Sequence, residues 1–141
     1  MPTRRSLAIY ANGLLGAALA MLVGCSSDLE TVTGRVTFAD GTPLDEGSVI
    51  CEMKDGEKTI MAQGNIERDG SFRLGTHVEG DGAKRGNYRV LVVARALSDA
   101  ERSTRLPIID SKYSQFETSG LELEVNEGRN ELNITVTKPE R

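Results

Sequence analysis

Tyr88-Arg89-Val90-Leu91-Val92-Val93-Ala94-Arg95-Ala96 is the stretch that decides the fold. It is apolar on both faces from Val90 to Val93. Successive strand residues point to opposite faces of a sheet, so a strand apolar on both is covered on both. This segment is therefore expected to be a strand lying centrally in its sheet.

Period-2 alternation continues outward from it in both directions. Toward the N-terminus, Val32, Val36 and Phe38 share a face opposite Thr31, Thr33, Arg35 and Thr37. Asp40-Gly41-Thr42-Pro43 supplies turn chemistry. Val49, Cys51 and Met53 make a second strand, and Ile60, Ala62, Gly64 and Ile66 a third. Asp69-Gly70 turns the chain into Phe72 and Leu74, a fourth; the glycine-rich residues 75–86 then read as a solvated, mobile loop. Beyond the central strand, Leu121, Leu123 and Val125 make a sixth, and Leu132, Ile134 and Val136 a seventh across the turn 126–130. Seven short strands with regular turns predict an all-β chain, an Ig-like β-sandwich over residues 31–138.

Residues 97–118 break the pattern. Ser98 with Glu101 has the spacing of a capping box around one helical turn. Leu106, Ile108, Ile109, Tyr113 and Phe116 are too apolar for a solvated loop. Two accounts compete. In one, these side chains fold back and plug an open edge of the sandwich, since exposed edges are usually covered. In the other, they form a partner surface, because contiguous apolar patches usually mark interfaces.

The N-terminus reads in three parts. Arg4 and Arg5 form a positive region, Leu7 to Val23 is an apolar run, and Leu22-Val23-Gly24-Cys25 closes it. The run is at the lower edge of what spans ~30 Å of hydrocarbon, so a signal peptide over residues 1–24 fits better than a permanent anchor. The closing four residues resemble the lipobox of bacterial lipoproteins, with an aliphatic residue three before a cysteine and small residues between. That resemblance implies diacylglycerol on the Cys25 thiol, palmitate-type acylation and cleavage before Cys25. Several acyl chains anchor stably, since each buried methylene contributes ~0.8 kcal/mol. Residues 25–30 then form the lipidated N-terminus and a tether. Ser26 and Ser27 follow the cysteine in place of Asp, which by resemblance sends the protein to the outer membrane of the cell envelope, facing the periplasm or the surface.

Charge supports an anchor of this kind over an electrostatic one. The chain of 141 residues has a formal charge of −4, and loss of Arg4 and Arg5 with the signal makes it −6. A negative domain does not neutralise phosphates, so nucleic acid is not expected as a partner. It is also mildly repelled by anionic lipid. With Cys25 acylated, Cys51 has no cysteine to pair with and is expected to be a buried core thiol.

The mature residues also resemble a domain family. Gly34-Arg35-Val36-Thr37-Phe38, Asp40-Gly41-Thr42-Pro43-Leu44 and Gly47-Ser48-Val49 are similar to the opening of carboxypeptidase-regulatory-like and transthyretin-like domains. Asp69-Gly70-Ser71-Phe72 and Gly86-Asn87-Tyr88-Arg89-Val90 match their turn, strand and glycine-led Tyr-x-Val pattern. Leu106-Pro107-Ile108, Lys112-Tyr113 and Ser119-Gly120-Leu121 resemble short bacterial lipoproteins that carry this domain alone. The resemblance covers most of residues 31–137 and implies a seven-strand prealbumin-like sandwich without catalytic activity of its own. One transthyretin-like branch hydrolyses 5-hydroxyisourate with several histidines and a C-terminal Tyr-Arg-Gly-Ser. Here His77 is the only histidine and the sequence given ends Lys138-Pro139-Glu140-Arg141.

No motif pairs a Ser, Thr or Cys nucleophile with a base, and no spacing predicts a metal or cofactor site. Glu79-Gly80-Asp81-Gly82 offers two carboxylates, short of the oxygen cage a calcium ion takes. The expected function is a non-enzymatic, membrane-tethered binding or structural module of the cell envelope, with an envelope protein or polysaccharide as its partner. The alternatives are an accessory subunit presenting an envelope enzyme or transport component and, more remotely, a small hydrolase.

Overall fold

A computed structural model describes residues 28–103 and 107–140. The expected signal peptide, Cys25 and Leu106 lie outside the described residues. The elements are β1 (Leu29–Glu30), β2 (Val32–Phe38), β3 (Gly47–Asp55), β4 (Lys58–Ile66), β5 (Ser71–Arg73), β6 (Ala83–Lys84), β7 (Gly86–Ala94), α1 (Asp99–Arg102), β8 (Leu121–Val125) and β9 (Asn130–Val136). A 3-10 turn spans Ser111–Ser114.

The described residues are all-β apart from these two short helical turns. Each of the seven alternating segments forms a strand. They divide into a three-stranded sheet, β5-β2-β9, and a four-stranded sheet, β4-β3-β7-β8. Alternation supplies the reason. Val32 and Val36 of β2, Phe72 of β5 and Ile134 and Val136 of β9 point one way from the first sheet. Val49 and Cys51 of β3, Val90 and Val92 of β7, and Leu123 and Val125 of β8 point inward from the second. All of them join a single buried cluster, so the two sheets share one core. Every pairing is antiparallel except β2 with β9, which run parallel from Val32↔Asn130 to Phe38↔Val136.

β2 needs a glycine to fit between its neighbours. A Cβ on Gly34 would stand 1.9 Å from the Leu132 carbonyl oxygen and 2.7 Å from the tip of the Phe72 ring. Gly34 thus lets β9 approach closely and lets Phe72 pack beneath the sheet.

β7 is central, between β3 and β8, as its apolar run predicts. Its two faces are not equally covered. Leu91, on the outer face, is buried beside its cross-strand partner Ile50. Val93 is 41 % exposed, against the expectation of burial on both faces. Its partner on β3 is the small, polar Ser48, and pairing with β8 stops at Val90↔Leu121, so no β8 residue pairs with Val93 on that side.

Two further corrections concern elements too short to show a period. Leu29–Glu30, expected as tether, and Ala83–Lys84, expected as loop, pair with each other as an antiparallel two-strand sheet. The approach is close. Gly82 has φ +103°, and a Cβ there would lie 2.3 Å from the Glu30 carbonyl oxygen. Only a residue without a side chain fits that conformation and contact comfortably.

Candidate functional site

The end of the domain where the chain enters is tied by side chains from four separate segments. Glu30 on β1 accepts from Arg85 Nε at 2.7 Å and from the Gly128 backbone N–H at 2.8 Å. Arg85 also lies 3.7 Å from Glu127 in the β8–β9 turn. Lys84 on β6 donates to Asp55, at the β3–β4 turn, at 2.8 Å. The Gly128 N–H and the Arg85 guanidinium hold the Glu30 carboxyl below the usual carboxylate range. The Lys84 ammonium does the same for Asp55. The Arg85 and Lys84 side chains are about half exposed, so each ion pair contributes little stability. Their effect is positional: they fix where the first described residues leave the domain.

The apolar segment after α1 splits between the two accounts. The capping box forms, with Glu101 N–H donating to Ser98 Oγ and Ser98 N–H donating to the Glu101 carboxylate. Ile109 and Tyr113 are buried and belong to the shared core. The Asp110 N–H donates to the Thr137 carbonyl at 2.9 Å, which ties the segment to the end of β9. The Ser119 hydroxyl donates to the Val90 carbonyl, just where β8 pairing ends. Ile109 and Tyr113 are therefore not available as a partner surface, because the sheets need them to close their core. Ile108 is half-buried against that core, and Phe116 is half-buried with the Arg89 guanidinium 5.4 Å from its ring centre. A groove of about 400 Å³ runs between Val93, Leu97, Pro107 and Ile108.

A second depression, of about 690 Å³, lies on the outer face of β5-β2-β9. Thr33 and Arg35 of β2, Arg73 of β5, and Glu131 and Asn133 of β9 line it with mixed hydrogen-bonding groups. Its floor offers no aromatic platform for stacking a sugar; Phe72, the aromatic beneath it, is buried in the core.

Two of the reactive side chains, Cys51 and Asp81, are held structurally. Cys51 is buried, and burial pushes its thiol up to about 12, far from the thiolate a nucleophile requires. Asp81 Oδ1 accepts from the Thr76 N–H at 2.6 Å, and Oδ2 from the N–H groups of His77 and Val78, each at 3.1 Å. Partial burial pushes the Asp81 carboxyl up, but those three donors together bring it below the ordinary carboxylate range. The loop expected to be solvated and mobile is instead pinned by this one carboxylate, whose oxygens are already used. Among the described residues no three His, Cys, Asp or Glu side chains gather as a metal site requires. None of their helices is long and apolar enough to cross a membrane.

Sequence reasoning missed the Glu30–Arg85–Gly128 tie and the Asp81 pin. Neither leaves a local motif, because each depends on segments that only the fold brings together. Compared with known families, curated proteins and solved structures, the chain matches none of them. What the fold defines directly is an all-β module of two sheets around one core.

Proposed function

We propose that this is a lipid-anchored, non-enzymatic module of the bacterial cell envelope that serves by binding or by structure. The observation that carries the reading is the spacing at its N-terminus. Leu22-Val23-Gly24-Cys25 closes an apolar run, and Leu29, four residues on, is already the first strand residue of a folded domain. A lipid on Cys25 would thus be joined to a compact all-β body with almost no linker. The three- and four-stranded sheets support a seven-strand prealbumin-like sandwich, in line with the resemblance to carboxypeptidase-regulatory-like domains. The polar depression on β5-β2-β9 suits a hydrogen-bonding partner such as a polysaccharide or protein backbone more than an apolar one.

Expression of the full chain in bacteria fed radiolabelled palmitate tests the anchor. Label is expected in the wild-type protein and absent from Cys25→Ser. Equal label in both would refute the reading.

A further inference from the structure

We infer that the domain stands end-on at its membrane, with the end that carries β1 and β6 against the lipid headgroups. This rests on the lipidation of Cys25 proposed above. Four chain steps separate Cys25 from Leu29, and at ~3.5 Å each they reach at most about 14 Å. Leu29 is not free to lengthen that reach. It is paired with Lys84, and the next residue, Glu30, is held by Arg85 and Gly128.

The strand directions then fix which surfaces lie at that end. β3 finishes at Asp55 where β7 begins at Gly86, and Gly86 pairs with Val125 at the finish of β8. β2 and β9 both begin there, at Val32↔Asn130. The β3–β4 and β8–β9 turns are therefore neighbours of the tether. The opposite end carries Gly47↔Ala94 and the chain around Asp45 and Glu46. β3 separates the two ends by eight residue steps, about 26 Å at ~3.3 Å per step. The tether keeps the near end within about 14 Å of the lipid, and the far end meets the bilayer only if the domain lies on its side.

Charge agrees with this placement. At the near end Lys84 neutralises Asp55, and Arg85 sits between Glu30 and Glu127. These cations offset most of the carboxylate charge they face at the near end, which lessens its repulsion by anionic lipid. The groove between Val93, Leu97, Pro107 and Ile108 then faces away from the membrane.

The experiment uses the full-length acylated protein in phosphatidylcholine vesicles containing phosphatidylglycerol and a nitroxide-headgroup lipid. A fluorophore is placed on Glu57→Cys, at the near end, or on Asp45→Cys, at the far end. Both positions are exposed and Cys51 is buried, so labelling is selective. Headgroup quenching is expected to be severalfold stronger at position 57. Equal quenching, or stronger quenching at 45, overturns the orientation. A flexible insertion of about ten residues between Ser27 and Asp28 is expected to erase most of the difference. If the difference survives, the near end adheres to lipid by itself and the tether is not what orients it. Vesicle flotation separates the premise from the inference: Cys25→Ser floating as well as wild type would overturn lipidation, and the orientation with it.

Discussion

Two of the irregular connections between the described strands are held in opposite ways. The segment from Pro107 to Ser119 is fixed by apolar burial: Ile109 and Tyr113 enter the core that both sheets share. The loop from Gly75 to Gly82 is fixed by polar convergence: three backbone N–H groups point at Asp81. The first kind of order shows in composition, because apolar residues in a connection need a place to go. The second does not, because a single aspartate among glycines looks the same whether it is pinned or free.

The largest expected effect tests the apolar side of this contrast. Ile109→Ser with Tyr113→Ser should lower the stability of a soluble domain beginning at Ser26 by several kcal/mol, since each buried large apolar side chain contributes ~1.5–3 kcal/mol. Thermal unfolding measures it, and a melting temperature close to wild type would mean the core does not need this segment.

Next comes Asp81→Ala. Hydrogen exchange of the Thr76, His77 and Val78 amides should accelerate, while strands β2 and β7 keep their protection. Uniform acceleration throughout the domain would show that the loop is part of the core's cooperative unit. The same pin should respond to acid. The folded Asp81 carboxyl sits below its ordinary value of 3.8, so its contribution is complete above that value and is lost as pH falls through the lower, folded one. Arg95 and Ser98 hold Glu101 down to about 2, so the α1 cap should persist through the mild acid range. Amide exchange followed from neutral pH downward measures it, and loosening of the cap well above pH 2 would show that Glu101 is not what holds it.

The smallest effect is expected from Ile108→Ser with Phe116→Ser. Both residues are half-buried, and the Arg89–Phe116 contact is of the exposed cation–π kind, ~0.5–1 kcal/mol. A loss in melting temperature matching the Ile109 and Tyr113 pair would erase the distinction between plug and rim.

Much of the fold was legible because it repeats. Val32 to Phe38, Val49 to Met53 and Leu132 to Val136 each alternate long enough to declare a strand and its buried face. Even the capping box at Ser98 and Glu101 is a local pattern. β1 and β6 were not legible, since two residues carry no period, and their pairing joins segments far apart in the chain. The exposure of Val93 was hidden for a related reason: it depends on where β8 stops, which the sequence of β7 does not contain. The apolar segment was recognised as needing a partner, but which of its side chains are core and which are rim is decided by contacts with β9 and Thr137.

The parallel pairing of β2 with β9 also sets an order of events during folding. Among the described strands β2 is the first long one to be made and β9 the last, and full register runs from Val32↔Asn130 to Phe38↔Val136. Until residues 130–136 arrive, β2 has β5 on one side and an open edge on the other, and half of its hydrogen-bonding groups are unclaimed. Closing so long a stretch of chain is entropically slow, and an unfinished edge invites pairing with other chains. A chain made from its N-terminus therefore carries β2 incomplete until β9 is made, and the three-stranded sheet closes only when β9 slides in alongside β2.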